Sequence, residues 1–257
     1  MIQDGDSPCP LPEIMATLAS LQAHLNLAKP PIYRCQANLD LFDSPNLERL
    51  ATQAAKGRLL TVESLPSDLT PSSPTGAIAV CLCEDDYPGW LSLQDLSQLE
   101  LCHQPYQPPV WSESDIRSQL PAVIQFAQAA MAHPNHYLWG GTVGPHYDCS
   151  GLMQAAFAAV GIWLPRDAYQ QEAFVQPIAR SEVTPGDLIF FGPPAKATHV
   201  GLYLGDDCYI HSSGKDQGRN GIGIDRLSPS SDRISQTYLA QVRGAGRVVA
   251  SYIPSRR

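Results

Sequence analysis

Several features are scarce in this 257-residue chain, and each scarcity removes a class of function. No apolar run approaches the roughly 18 residues of a membrane-spanning helix, so no membrane partner is expected. Positive charge is short: 17 Lys and Arg stand against 25 Asp and Glu, a net charge of −8. The basic residues are scattered, which argues against nucleic acid as a partner. The terminal Ser255-Arg256-Arg257 reads as a frayed tail. The seven cysteines (9, 35, 81, 83, 102, 149 and 208) are odd in number and contain no C-x-x-C pair. Cys81 and Cys83 would share one face of a strand, poor geometry for a mutual bridge. The expectation is a reducing compartment and no structural metal. The N-terminal stretch MIQDGDSPCPLPEIM lacks the basic region and apolar run of a secretory signal, so a cytoplasmic location is expected. The glycine-rich SGKDQGRNGIG (213–223) lacks the strand-Gly-Lys-Ser/Thr pattern of a phosphate loop, and nothing implies a cofactor.

What is present divides into two parts. The length suits two domains, and 44% hydrophobic residues are enough for sizeable cores. Residues 1–31 form an N-terminal segment in which Ile14, Leu18, Leu21 and Leu25 recur at helical spacing, predicting an amphipathic helix that packs on a neighbour. Over 32–104 the segments IYRCQA, LDLFDS, GRLLTVES, GAIAVCLCE and GWLSLQDL are short, rich in strand formers and divided by turn residues. They predict a small all-β barrel. Residues 105–120, with several prolines, read as a linker in which Ser112 or Ser114 caps a short helix. The next helix then starts near Pro121 and runs to about Ala132. The remaining domain, 121–257, places helices before the strands LIFF (188–191), HVGLYLG (199–205) and CYIHS (208–212). That order predicts an α+β layer rather than a doubly wound sheet.

The chemistry is concentrated around DCSGLMQAAF (148–157). Leu152, Met153, Ala156, Phe157 and Val160 mark one helix face, Gly161 the stop, and Asp148 the N-cap. Cys149 then sits in the first turn, where unpaired N–H groups and the helix dipole are expected to lower its pKa. In THVGLYLGDDCYIHS the GDD turn makes a hairpin. If the loop holds an odd number of residues, His211 falls opposite Gly201, and His199 and His211 are diagonal neighbours on one face. A two-residue loop would separate them. Thiol, imidazole and second polar group then make a nucleophile, a base and an orienter. His24, His103, His133 and His136 read as structural residues, and His146 as part of a loop.

The motifs YLWGG (137–141), YDCSGLMQ (147–154), LPR (164–166), PGDLIFF (185–191), HVGLYLG (199–205) and YIHSSG (209–214) together resemble the NlpC family of papain-like cysteine peptidases. The resemblance covers about 120–250 and keeps the family's motif order. It implies an α+β fold with helices packed on an antiparallel sheet, and bacterial enzymes that cut cell-wall peptides. It also implies Cys149 as nucleophile, His199 as base, His211 as third polar residue and Tyr137 as an oxyanion donor. Asp148 stands where the family has an acid on the substrate side, with Ser150 and Arg166 beside it. Asp167 replaces the family's small hydroxyl residue after the arginine. EDDYPGWLSLQDL, with Trp90 following Gly89, resembles the last strands of bacterial SH3-like domains. That combination resembles murein endopeptidases cutting between γ-D-glutamate and a diamino acid such as meso-diaminopimelate. A wall-binding module with a vestigial catalytic domain and a thiol amidase or acyltransferase remain the alternatives.

The acidic loop CEDDYPGW (83–90) has two readings. Its acids, Pro88 and Gly89 are ordinary turn residues, yet a barrel fused to a catalytic domain can place its last loop at the cleft. On the second reading Glu84, Asp85 or Asp148 accepts the free alanine ammonium of a loose murein peptide, L-Ala-γ-D-Glu-diaminopimelate, while Tyr87 closes the cleft behind it.

Overall fold

A computed structural model describes residues 15–25, 27, 30–66 and 76–255. Cys9, Ile14 and the Arg256-Arg257 end of the tail lie outside these residues. Helix α1 (Leu18–His24) is capped by Thr17 and buries Leu21 against the first β module, as its spacing predicts. That module comprises β1 (Ile32–Cys35), β2 (Leu39–Phe42), β3 (Leu50–Ala54), β4 (Leu59–Ser64), β5 (Ala77–Leu82), β6 (Pro88–Ser92) and β7 (Leu99–Cys102). The seven strands pair antiparallel in the order β3-β2-β6-β5-β4-β1-β7. Period-2 alternation places Tyr33, Leu41, Leu60, Val80 and Leu91 in one core. Each of the five anticipated segments contributes a strand, and β3 and β7 are additional.

The second domain begins earlier than its sequence suggests. Helix α2 runs unbroken from Glu113 to Ala132 with Ser112 as its cap, so 113–120 is helix rather than linker. Pro121 sits on the exposed face, where the missing N–H and any bend meet solvent instead of core. The inward stripe of Ile116, Val123 and Ala127 packs against α3 (Cys149–Ala158), and Trp111 Nε1 donates to the Gly161 carbonyl at 2.9 Å. Helix α4 (Ala168–Phe174) follows, then β8 (Gln176–Ile178), β9 (Leu188–Phe191), β10 (His199–Gly205), β11 (Cys208–Ser213), β12 (Gly221–Arg226), α5 (Arg233–Leu239) and β13 (Val242–Arg247). The sheet order is β12-β11-β10-β9-β13-β8, antiparallel throughout. Helix α3 lies on β10 and β11 with Leu152, Met153, Ala156 and Phe157 fully buried. Each such large apolar side chain contributes on the order of 1.5–3 kcal/mol, which fixes the helix start against the sheet.

The two modules share an extensive polar seam. Strand β3 docks on the loop before α3: Gln53 Oε1 accepts from the Thr142 and Val143 N–H groups, and Thr142 Oγ1 donates to the Gln53 carbonyl at 2.8 Å. Gly140 is required there, because its φ is +79° and a Cβ would lie 2.8 Å from the Leu50 carbonyl oxygen. At the far end the Ser255 N–H and hydroxyl both donate to Asp86. Among the described residues no helix is long and apolar enough to cross a membrane.

Candidate active site

Asp148 caps α3 from an extended conformation, its Oδ1 accepting the Gly151 N–H at 2.6 Å. Cys149 is therefore the first residue of the helix, buried against β10, and its sulfur accepts the backbone N–H groups of Val200 and Ser150. The expected fall in the pKa of this thiol does not occur. Burial, reinforced by Asp148, outweighs the N–H groups and pushes it up to about 12. Burial likewise holds His199 well below the ordinary imidazole value, with His211 acting in the same direction. Burial thus disfavours the charged form of each group.

The two histidines lie on one face, by a route other than the anticipated odd loop. The turn has two residues, Asp206 and Asp207, both at positive φ (50° and 58°). Alone it would put the rings on opposite faces. A register shift between Tyr203 and Gly205 supplies the missing residue, so Leu202 pairs with Ile210 and His211 falls beside Gly201. His199 Nε2 lies 2.7 Å from His211 Nδ1. A Cβ on Gly201 would lie 2.7 Å from the Tyr209 ring and 3.3 Å from His211 Cβ, so glycine clears the diagonal.

The line of hydrogen bonds continues past His211. Its Nε2 lies 2.8 Å from Asp225 Oδ2, both groups fully buried, and Arg219 pairs with the other Asp225 oxygen. Sequence reasoning missed Asp225 and Arg219. The available signal was the alternation in GIGID, which puts Gly223 opposite His211 and Asp225 one diagonal step along the same face. Tyr238 was also missed: its ring stacks on His199 at 4.6 Å between centroids, with its hydroxyl 2.7 Å from Ser213 Oγ.

Tyr137 lies close enough to Cys149 to feel its charge and is bridged to Tyr147 just ahead of α3. Burial, then Cys149, raises its pKa, so its hydroxyl remains a donor. His24 binds the Tyr33 hydroxyl, and His136 stacks on His146 outside the Cys149–Asp225 line.

Five residues expected to face substrate have hydrogen-bond or ion-pair partners within the protein. Asp148 accepts from Gly151, Gly140 and both terminal nitrogens of Arg166, which fills its lone pairs. Arg166 is 1% exposed, and its Nε donates to Thr52 Oγ1 of the β module at 2.8 Å. Ser150 Oγ accepts from Arg166 at 3.0 Å, closing the same cluster. Glu84 and Asp85 are buried on Arg58, at 3.2 and 2.8 Å, and Asp85 also accepts from Gln154 of α3. Asp148, Ser150, Arg166, Glu84 and Asp85 are thus buried and partnered within the protein. The acidic loop is thus neither a solvated turn nor an open anion patch.

Tyr87 and Asp167 differ. The Tyr87 hydroxyl crosses the seam to Asp167 Oδ1 at 3.3 Å, and Tyr169 also donates to Asp167. Burial raises the Asp167 pKa, with Arg166 acting against it. No cluster of three or more His, Cys, Asp or Glu able to hold a metal occurs among the described residues.

Residues 134–243 match the NlpC/P60 family, and residues 41–96 match the family described as bacterial dipeptidyl-peptidase Sh3 domain. A protein named probable endopeptidase from Mycobacterium tuberculosis is 40% identical over 92 residues, 36% of this chain and 23% of the relative. A bifunctional muramidase/DL-endopeptidase of Bacillus subtilis is 44% identical over 82 residues, 30% of this chain and 25% of the relative. The chain thus spans about a quarter of the length of these curated relatives. Among solved structures, the peptidoglycan hydrolase RipB of M. tuberculosis is 26% identical, covering 54% of this chain and 68% of its own, with a TM-score of 0.43.

Proposed function

We propose that this chain, which carries an NlpC/P60 domain behind a bacterial SH3 domain, is a cysteine endopeptidase of murein peptides. The bond it cuts joins γ-D-glutamate to a diamino acid such as meso-diaminopimelate. Its substrate is a loose peptide with a free N-terminal L-Ala, met in the cytoplasm during recycling of the cell wall. The supporting observation for the chemistry is the His199–His211 hydrogen bond, one residue along β10 from the Val200 N–H that the Cys149 sulfur accepts. His199 takes the thiol proton, and the thiolate attacks the D-glutamyl side-chain carbonyl. The Cys149 N–H and the Tyr137 hydroxyl hold the oxyanion. His199 returns the proton to the leaving amine, and water then releases the acyl group from sulfur.

Support for the free amine comes from the seam. With Asp148, Glu84 and Asp85 in ion pairs with arginines, Asp167 at this junction accepts from the Tyr87 and Tyr169 hydroxyls. Burial raises its pKa, and an arriving ammonium would favour its ionised form. Tyr87 stands behind it, where a glycan-linked peptide would collide. The test is cleavage of L-Ala-γ-D-Glu-diaminopimelate with a free or an acetylated amine, followed by mass detection. Acetylation should cut turnover at least about tenfold, the equivalent of about 1.5 kcal/mol for one charge-assisted hydrogen bond. Tyr87→Ala should relax the preference more than it lowers the rate. Equal cleavage of both peptides would make the β module a spacer or wall binder.

A further inference from the structure

The buried carboxylate beyond His211 belongs to none of the roles above. Asp225 has one oxygen on Arg219 and the other on His211 Nε2. We infer that Asp225, held by Arg219, is a positioning residue that sets the tautomer of both histidines and so presents the bare nitrogen of His199 to Cys149. This rests on the peptidase reading for its consequence, though not for its geometry.

An ionised carboxylate only accepts hydrogen bonds, so His211 Nε2 must carry a proton. A neutral His211 then has a bare Nδ1. That atom lies 2.7 Å from His199 Nε2, which must be the donor. A neutral His199 so protonated has its own Nδ1 bare. Nδ1 is the ring nitrogen nearer the backbone, and the Cys149 sulfur accepts the N–H of the next residue along β10, Val200. One carboxylate, two rings away from the thiol, therefore selects the proton acceptor. The reverse arrangement, with His211 protonated at Nδ1, would force a proton onto His199 Nδ1 and leave nothing to accept from the thiol.

The surroundings favour this orientation. The rings of Tyr209 and Tyr238 pack on His211 at 4.9 and 4.8 Å, and burial raises the pKa of both phenols, so neither supplies a competing charge. Glycine stands opposite His211 on each neighbouring strand, Gly201 on β10 and Gly223 on β12. A Cβ on Gly223 would lie 2.2 Å from Arg219, so the same glycine that frees the diagonal admits the guanidinium. When His199 takes the thiol proton, its Nε2–H still donates to His211, whose Nε2–H still donates to Asp225. The proton stays on His199, and the carboxylate stabilises the cation through His211.

Nitrogen-15 spectra of the histidine-labelled wild-type chain test the assignment without any variant. Both His199 and His211 should carry their proton on Nε2, and a proton on His211 Nδ1 would overturn it. Asp225→Asn, whose amide can donate to His211, should lower kcat at least about 30-fold with KM within about threefold, and slow alkylation of Cys149 in parallel. It should also mix the His199 tautomers. Unchanged kcat and tautomers in the folded variant would reduce Asp225 to a packing residue. If that variant does not fold, the wild-type spectrum still decides. If the wild type fails to cut murein peptides, the peptidase reading falls, while the spectra and the alkylation rate continue to test Asp225.

Discussion

Two buried polar networks flank the nucleophile helix, and they are built to opposite ends. The one on the second domain's sheet is a line, Arg219, Asp225, His211 and His199, with the Cys149 sulfur on the N–H of the next residue, Val200. The one at the seam is a closed cluster, in which Arg58 holds Glu84 and Asp85, and Arg166 holds Asp148. Both contain carboxylates near Cys149. In the cluster each acid already faces an arginine. In the line the arginine and the carboxylate stand at one end and His199 at the other. Acidity near a nucleophile is thus poor evidence of a substrate role until the partners have been counted.

The sharpest way to break this contrast is to cut the line at its cysteine end. Cys149→Ala should abolish hydrolysis of murein peptides while leaving the unfolding midpoint nearly unchanged, since the sulfur adds little to the core. One step back, His199→Ala should cost about a thousandfold or more in kcat, and His211→Ala about a hundredfold, because an orienter's loss leaves the base in place. Steady-state kinetics on both variants check the order. A deader His211 variant would reverse the two roles.

Cutting the cluster should do the reverse. Arg58→Ala leaves two buried carboxylates without their cation, and removing one partner of a buried pair costs about 3–5 kcal/mol. Denaturant unfolding should register that loss, while kcat of the molecules that remain folded stays within about threefold. Adding Glu84→Gln and Asp85→Asn should recover much of the stability. A loss below about 1 kcal/mol would mean that water already replaces Arg58 at the seam.

The line was more legible in the sequence than the cluster. Helix α3 announced itself through one apolar face, an Asp cap and a Gly stop, all within 14 residues. The shared face of His199 and His211 was legible only up to the turn. Two aspartates can each adopt positive φ and close a tight hairpin, and the compensating bulge at Tyr203–Gly205 has no local signature. Asp225 sits in a strand pattern with nothing catalytic beside it in sequence. The cluster was illegible for a different reason. Arg58 lies 26 and 27 residues from its acids, and Gln154 belongs to the other domain, so local reading saw only a turn-like acidic loop. Strand β3, LATQA, mixes polar and apolar residues because its edge serves the seam as well as the core.

The smallest expected effect is a flat region in a pH profile, and it tests the burial of His199. If Cys149 and His199 rested as a thiolate and an imidazolium, each would stabilise the other's charge, and His199 would titrate above its ordinary value of 6.5. Burial points the other way, holding His199 well below that value and the thiol up near 12. Activity then requires only that His199 be neutral to accept the proton. The acid limb of kcat/KM should have its midpoint below 6.5, with less than about a twofold change between pH 7 and 8. Stability should follow the same sign. His199 and His211 both have depressed folded values, so below about pH 6.5 the unfolded chain takes up protons that the folded chain refuses. Their contribution is full above that pH and is lost as pH falls through the folded values. Denaturant midpoints measured from neutral to mildly acidic pH should therefore decline, and His211→Ala should flatten part of the decline. An acid limb centred above pH 7 would mean that the surroundings of His199 raise its pKa rather than lower it.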